Sequence, residues 1–534
     1  MPQRLPRKTP LSWPQMDATT SQAATIAFLS NPKTYGNAVL RVERRETHGA
    51  IVFLAGDRAY KLKRAVRFPY MDYSTTALRR AMCEAELAVN RRMAPDLYLE
   101  IRAIVQARDG TIRFGRNTDE AAIIDWVVVM RRFKESALLE EMRKRNGLSI
   151  PLMRQLAEAI AAFHLSAEKR PFFGGATGIL RVIDENVAVL RDAIDRPFDA
   201  GRIEVYSALA HNAQRDLSEL LETRRQTGFV RRCHGDLHLN NICMLGGKPV
   251  LFDAIEFDED FASIDVFYDL AFLLMDLEHH RLRDLSNVLF NRYLQKTEDF
   301  TGVAALPLFL SCRAGLRAHV VMAAARAQEG EIDPQLTGNA VSLLDDAIRY
   351  LQDRPPTFVV LGGLSGSGKS TLAQAVAPRL GRAPGAVVLR SDVIRKTLLG
   401  VGETDRLPSE AYSSEVNGRV YATLAERARG LLCYGHSVIA DAVFGRPEER
   451  QRIESIGKLT AGSFAPIWLD APLAVLEQRI SARRADASDA TIDVLRGQWA
   501  TTVPPDGWRK FDVVGNSGDT IQRLGAALEV GHFP

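Results

Sequence analysis

The chain has 534 residues, of which 46% are hydrophobic and 25% are charged, and its formal net charge is +4. These values exclude a mostly disordered chain, and they exclude the strong overall positive charge that attracts nucleic acids. The length predicts at least two domains. The five cysteines are irregularly spaced, which argues against a disulfide framework and for a reducing, cytoplasmic compartment. No apolar run reaches the roughly 18–20 residues that span a bilayer, so no membrane segment is expected.

The N-terminal part begins with residues 1–22, which contain four prolines and no apolar run. We expect a flexible tail there and not a signal peptide. Residues from about 36 to 130 alternate strand-like runs with one helix. Apolar alternation around Gly56–Asp57 predicts a hairpin, and the apolar spacing of residues 76–93 predicts a helix. Residues 122–130 form an apolar run that predicts a buried strand.

Residues 151–350 read as mostly helical, but a polar loop and a short apolar strand interrupt them. The loop contains His234, Asp236 and Asn241, and Asp253 follows the strand. Phosphoryl transfer needs a carboxylate that orients the acceptor hydroxyl, and this is the role predicted for Asp236. It also needs oxygen ligands for Mg²⁺, and this is the role predicted for Asn241 and Asp253.

The spacing of these four positions resembles the aminoglycoside phosphotransferase family, whose members are relatives of protein kinases. The resemblance covers residues 23–350 and implies an α+β, bilobal, protein-kinase-like domain with a small lobe to about residue 130 and a helical large lobe. It also implies that Asp269 braces the loop. Glu256 stays open between a metal or acceptor contact and a structural role. Zinc binding is a weaker alternative, with the ligands Cys233, His234, His238 and Cys243.

The resemblance further implies that ATP lies under the small lobe. Lys61 would contact its phosphates, Glu86 would form the ion pair with Lys61, and backbone groups near Met130 would meet the adenine. Lys63 remains a rival of Lys61, because side chains two residues apart on a strand point to the same side. Glu84 remains an alternative to Glu86.

A linker is predicted at residues 351–356, because Pro355 and Pro356 end the preceding helix. Residues 357–534 then alternate strands and helices, which predicts an α/β domain with a parallel sheet. We therefore expect two parts that fold separately, one on each side of the linker.

A phosphate-binding loop opens the second domain. Residues 363–370 fit the P-loop pattern, an apolar strand precedes them and a helical run follows. Glycines allow backbone N–H groups to wrap phosphates at the helix N-terminus. Lys369 would reach the β- and γ-phosphates of ATP and Ser370 would hold Mg²⁺. The predicted nucleotide-binding residues are Gly363, Ser365, Gly366, Ser367, Gly368, Lys369, Ser370 and Thr371.

Two carboxylates stand at the ends of later strands, where ligands bind in open α/β sheets. Asp441 is the candidate for the metal, and Asp392 is the candidate for the base that orients an acceptor hydroxyl. Helix capping is the alternative for each. Arg483 is a candidate clamp on the transferring phosphoryl group, on a helix that also carries Arg479 and Arg484. A solvated basic helix face is the alternative.

These features resemble the small P-loop kinases of the gluconate kinase and polynucleotide 5′-kinase type, over residues 357–514. The whole chain resembles bacterial bifunctional proteins that join an aminoglycoside phosphotransferase-like domain to an ATP-binding domain. The leading hypothesis is a bifunctional kinase that transfers the γ-phosphoryl group of Mg-ATP to hydroxyls of small molecules. The alternatives are a C-terminal nucleic-acid 5′-hydroxyl kinase and an ATP-binding regulatory protein with one non-catalytic domain. The acceptors and the oligomeric state stay open.

Overall fold

The computed structural model describes residues 22–47, 49–68, 71–115, 122–192, 197–326, 333–482, 487–515 and 517–529. The predicted tail, apart from its last residue, and the predicted clamp Arg483 lie outside the described residues. Among the described helices, none combines the length and the apolar character needed to cross a membrane. The chain divides into two compact units, one of residues 1–155, 162–203 and 214–273, and one of residues 156–161, 204–213 and 274–534.

The first unit begins with an antiparallel sheet. The strands of this sheet are β1 (Val42–Glu46), β2 (Ala50–Ala55), β3 (Arg58–Lys63), β6 (Tyr98–Gln106), β7 (Ile112–Gly115) and β8 (Ala122–Arg131). Two short strands, β4 (Arg67–Phe68) and β5 (Met71–Asp72), pair with each other outside it. The six-stranded order is β1-β2-β3-β8-β6-β7. Strands β2 and β3 pair across the Gly56–Asp57 turn, which confirms the predicted hairpin. Strand β8 is buried from Asp125 to Met130, as predicted.

Two helices accompany this sheet, α1 (Ala23–Ser30) and α2 (Thr76–Arg91). Helix α2 confirms the predicted helix, and the Thr75 side chain caps its start by accepting a hydrogen bond from the Leu78 N–H. A core of Cys83, Leu97, Trp126 and Val128 forms with Ala59 of β3. Alternate residues of a strand share a face, so Lys61 and Lys63 lie on the same side of β3 as the buried Ala59.

The chain from residue 132 to residue 350 is mainly helical. Its helices are α3 (Leu139–Lys144), α4 (Ile150–Ser166), α5 (Gly175–Arg191), α6 (Ala200–Asp216), α7 (Ser218–Thr227), α8 (Glu259–Ala262), α9 (Val266–His279), α10 (Arg283–Thr297), α11 (Leu306–Arg326) and α12 (Pro334–Tyr350). Its strands are β9 (Val230–Arg232), β10 (Ile242–Leu245), β11 (Lys248–Leu251) and β12 (Ser263–Asp265). The β10–β11 hairpin delivers Asp253, which follows β11 by two residues.

The C-terminal part of the second unit is an α/β layer structure. Its strands are β13 (Thr357–Gly363), β14 (Val387–Arg390), β15 (Val438–Asp441), β16 (Ser463–Asp470) and β17 (Arg509–Asp512). Its helices are α13 (Lys369–Val376), α14 (Ser391–Leu398), α15 (Ser414–Cys433), α16 (Pro447–Thr460), α17 (Leu473–Ala482), α18 (Ile492–Thr501) and α19 (Ser517–Glu529). The sheet order is β14-β15-β13-β16-β17, and every pairing is parallel. The predicted parallel α/β sheet is therefore confirmed.

The predicted linker at residues 351–356 stays a prediction. Within the second unit, α10 bonds to the segment around residues 381–388: Asn287 and Asn291 donate to the Ala386 carbonyl, each at 3.1 Å. We expect residues 1–352 and 356–534, expressed as separate chains, to fold, with the shorter one less stable by about 1 kcal/mol for each such hydrogen bond lost. Circular dichroism and thermal melting would measure this. An unfolded fragment beside a stable full chain would contradict the separation.

Candidate active sites

The N-terminal site is built around an ion pair between β3 and α2. Lys61 Nζ lies 2.8 Å from Glu86 Oε1 and 2.5 Å from Asp253 Oδ1. Glu86 is fully buried, whereas Glu84 is exposed and pairs with Arg80 one helical turn away. The structure thus brings together three of the residues singled out in the sequence.

Lys63 occupies the next position on the same face and has a different partner. Its Nζ lies 2.7 Å from Glu86 Oε2 and 2.5 Å from Glu256 Oε1, and the Tyr73 hydroxyl donates to the same Glu256 oxygen at 3.0 Å. The Lys63 side chain is 2% exposed and that of Lys61 is 15% exposed. Lys61 therefore contacts Asp253, the candidate metal ligand. Lys63 is more deeply buried and pairs with Glu86 and Glu256 instead.

The charge on Glu86 is held by these two lysines. Burial alone would raise its pKa, but the charges and hydrogen bonds of Lys61 and Lys63 lower it to about 2. A carboxyl group whose pKa is lowered by folding adds stability above its ordinary pKa and loses that contribution as pH falls toward the lowered value. The Glu86 contribution is therefore complete at neutral pH and declines between roughly pH 4.5 and pH 2.

The loop that carries Asp236 is braced by a buried carboxylate. Asp269 accepts the backbone N–H groups of His234 at 3.0 Å and Gly235 at 2.9 Å, as the family resemblance implied. His164 Nε2 lies 3.1 Å from Asp269 Oδ2. Gly235 has φ +84°, and a Cβ there would lie 3.0 Å from the Phe261 carbonyl, so this turn requires glycine.

His234 supports the loop and is not placed for acid–base work. Its Nδ1 accepts the Asp236 N–H at 3.3 Å, so its Nε2 carries the proton that is donated to the Phe252 carbonyl at 2.9 Å. Burial lowers the pKa of His234, which agrees with a neutral ring that uses both nitrogens. Because both ring nitrogens of His234 are used in these hydrogen bonds, neither is free to bind zinc in this arrangement.

Asp236 and Asn241 are joined directly. Asn241 Nδ2 donates to the Asp236 carbonyl and to Asp236 Oδ2, both at 2.9 Å. The Asp236 side chain keeps 39% exposure, so a hydroxyl can approach it. Asn241 accepts the Phe252 N–H on its backbone carbonyl at 3.0 Å, which fixes the segment that leads into Asp253.

Asp253 sits at a constrained backbone position. It has φ +62°, a region that aspartate tolerates better than most residues. The buried Tyr98 hydroxyl accepts the Asp253 N–H at 3.2 Å, and Asn90 Oδ1 accepts the Ala254 N–H at 2.9 Å. Tyr98 and Asn90 were not predicted from the sequence. Their partners lie more than 150 positions away, and no local pattern marks such contacts.

The C-terminal site begins where β13 turns into α13. Lys369 Nζ donates to the carbonyls of Gly363 at 2.8 Å and Leu364 at 2.9 Å. Both Gly363 and Gly366 have positive φ, and a Cβ would lie 2.7 Å from the Leu469 carbonyl and 2.8 Å from the Leu476 carbonyl, respectively. Only glycine fits this backbone path, which is the path that lets N–H groups surround phosphates.

Two carboxylates meet this loop at the carboxyl ends of neighbouring parallel strands. Ser370 Oγ donates to Asp441 Oδ2 at 2.6 Å, and Arg390 Nε lies 3.5 Å from the same oxygen. Burial and the nearby Asp441 charge raise the pKa of Asp392. The predicted Ser370, Asp392 and Asp441 are therefore gathered at one edge of the sheet.

A second cluster of charged and polar side chains in this domain, around Asp489, was not predicted from the sequence. Asp489 lies 3.3 Å from Lys396 Nζ and accepts the Tyr412 hydroxyl at 3.0 Å. Arg395 lies over the Tyr412 ring at 4.7 Å. Arg479 of the basic helix donates to the Val513 carbonyl at 2.7 Å. The two carboxylate oxygens of Asp489 thus connect helix α14 to the segment before α15.

Comparisons with known proteins agree with two kinase-type parts. The family model described as the phosphotransferase enzyme family matches residues 117–306. The model described as an AAA domain matches residues 358–505. The loop that carries Asp236 lies within the first matched range, and the P-loop and Asp392 lie within the second.

Among solved structures, a choline/ethanolamine kinase family protein from Mesorhizobium loti has 14% identity and a TM-score of 0.37, covering 62% of this chain and 99% of that chain. A gluconokinase from Sinorhizobium meliloti has 21% identity and a TM-score of 0.24, covering 34% and 100%, respectively. A protein of Mycobacterium tuberculosis, described as uncharacterized, is 30% identical over 482 residues, which are 89% of this chain and 93% of that protein. The chain belongs to the family of this mycobacterial protein, and with its phosphotransferase-family part and its P-loop part it is an enzyme of the kinase class.

Proposed function

We propose that each of the two sites transfers the γ-phosphoryl group of Mg-ATP to a hydroxyl group of a small molecule. The observation that carries this proposal is the double ion pair of Lys61, which joins Glu86 of α2 to Asp253 beside the Asp236 loop. That arrangement supports a role for Lys61 as the cation that contacts the phosphates beside a candidate metal carboxylate. The P-loop of the second domain supplies a separate nucleotide site.

In the N-terminal site, the residues fit Mg-ATP by their chemistry. Asn241 and Asp253 offer the oxygen ligands that Mg²⁺ prefers, and Lys61 offers a cation for the phosphates. The metal supplies charge neutralisation on the phosphate oxygens when it is bound. Asp236 orients the acceptor hydroxyl and receives its proton, because its carboxylate is accessible and held by Asn241.

In the C-terminal site, the glycine path and Lys369 hold the phosphates, and Ser370 with Asp441 would hold the metal. The hydrogen bond of 2.6 Å between Ser370 and Asp441 supports this pairing. Asp392 is the proposed base. Its raised pKa makes it a better proton acceptor than an ordinary aspartate.

The acceptors are proposed to be small hydroxyl compounds and not aminoglycosides in particular. The fold and the nucleotide chemistry do not fix the acceptor, so the likeness to aminoglycoside phosphotransferases does not by itself select an aminoglycoside. The test is ATP consumption by the full chain against a panel of sugars, aminoglycosides, nucleosides and 5′-hydroxyl oligonucleotides. Consumption stimulated by a small hydroxyl compound supports the proposal. ATP binding without transfer to any member would instead favour a regulatory protein.

The two lysines of β3 are expected to differ when each is replaced by alanine. Lys61→Ala should weaken Mg-ATP binding at the N-terminal site and leave the fold intact, because Glu86 keeps Lys63. Lys63→Ala should lower the free energy of unfolding by about 3–5 kcal/mol, because it leaves the buried Glu256 side chain without a cation, while Glu86 keeps Lys61. Calorimetric ATP binding and thermal melting of both variants would measure the difference. A folded Lys63→Ala variant with the larger loss of ATP affinity would reverse the assignment.

A further inference from the structure

A cavity of about 350 Å³ lies in the second unit, outside the residues of the P-loop. Its wall combines the ends of α9 and α12 with the segment that follows α13. Five arginines line it, namely Arg281, Arg283, Arg349, Arg354 and Arg382. This volume is in the range of small-ligand pockets. The arginine content is unusual for a cavity wall, because like charges that face one another are costly without a counter-ion.

The carboxylates around the cavity do not balance these arginines. Asp346 pairs with Arg349, and Asp353 lies 2.8 Å from Arg382. Glu278 is the acidic residue in the cavity wall, and burial raises its pKa to about 6. At neutral pH the five arginines therefore exceed these three carboxylates by two positive charges. Within the described chain, Arg281, Arg283 and Arg354 form no ion pair.

Several buried atoms of the cavity wall also lack hydrogen-bond partners among the described residues. They are the donors Arg283 Nε, Arg382 Nε and the Tyr350 hydroxyl, and one acceptor, Glu278 Oε1. Tyr350 is 6% exposed, so its hydroxyl is removed from bulk water. A buried polar group without a partner costs free energy, and a bound ligand or water usually supplies the partner. Donors of this kind on arginine and tyrosine match the oxygens of an anion.

We infer that this cavity binds a small molecule through a phosphate group that carries two negative charges. Arginine forks match the oxygens of phosphate in pairs, and a phosphate dianion would neutralise the two excess charges. None of the residues assigned to the two proposed nucleotide sites lines this cavity. It lies on the segments that precede β13 and follow α13, so its ligand contacts both flanks of the P-loop strand and helix.

The test uses the full chain and inorganic pyrophosphate without magnesium, measured by calorimetry at constant ionic strength. The test variant combines Arg354→Ala with Arg281→Asn, because Arg281 has φ +61° and asparagine tolerates that backbone. The matched control combines Arg429→Ala and Arg452→Ala, two exposed arginines outside the cavity wall. All proteins carry Lys369→Ala, which removes the proposed lysine contact of the P-loop with phosphate, and the remaining glycine path is the same in the test and control variants.

We expect the test variant to bind pyrophosphate at least about tenfold more weakly than the parent, since a hydrogen bond to a charged group contributes more than 1.4 kcal/mol. The control variant should keep the parent affinity. Equal affinity in the test and control variants would overturn the inference, as would a parent protein that binds no pyrophosphate. If the test variant fails to fold, Arg354→Ala alone, at an exposed position, gives the same comparison.

Discussion

Replacing Asp236 by asparagine is expected to lower phosphoryl transfer at the N-terminal site by at least about a hundredfold, the lower range for a positioned acid–base group. The affinity for Mg-ATP should stay near that of the parent. The reason is geometric. Asn241 Nδ2 donates to Asp236 Oδ2 at 2.9 Å, and the amide oxygen of an asparagine can accept the same bond. The change therefore removes the proton acceptor and keeps the loop.

The measurement combines calorimetric Mg-ATP binding with single-turnover transfer to an acceptor found in the panel. Both use the full chain with Lys369→Ala, so that the second site does not obscure the first. The control is Asp260→Asn, which removes one exposed carboxylate on α8. Asp253→Ala should weaken Mg-ATP binding as well as transfer, because its carboxylate contacts Lys61. Intact transfer in the Asp236→Asn protein would mean that Asp236 is structural.

The parts of the site that the sequence predicted are those encoded locally. The P-loop is a continuous run with a strand before it and a helix after it, and both appear as β13 and α13. The loop from His234 to Asn241 is likewise short and continuous. Strand and helix periodicity also predicted the hairpin of β2 and β3 and the helix α2, because each pattern repeats over neighbouring residues.

The parts that the sequence could not give depend on residues far apart in the chain. Lys63 and Glu256 are separated by 193 positions, and the Tyr98 hydroxyl and the Asp253 N–H by 155. No period or motif connects such pairs, since only packing brings them together. For the same reason the sequence does not decide whether Lys61 or Lys63 contacts the phosphates. Both lysines meet Glu86, and only the further contacts to Asp253 and Glu256 distinguish them.

The P-loop lysine is expected to be as decisive for the second site as Asp236 is for the first. Replacing Lys369 by alanine should lower ATP turnover at the C-terminal site roughly a hundredfold to a thousandfold, the range for loss of one preorganised charge-stabilising donor. Its Nζ is held by the carbonyls of Gly363 and Leu364, so it is fixed at the loop whose backbone fits phosphate. Removing it takes away a cation and leaves the glycine path intact.

The full chain with Lys369→Ala should therefore lose one of its two proposed ATP sites in calorimetry, and turnover should remain at the N-terminal site alone. Lys458→Ala is the matched control, because that lysine is exposed on α16 and far along the chain from the P-loop. Thermal melting would check that the Lys369→Ala protein is folded. Unchanged turnover with a C-terminal acceptor would show that Lys369 makes no contact with the phosphates. Loss of ATP binding at both sites in a folded protein would show that the N-terminal site depends on the second one.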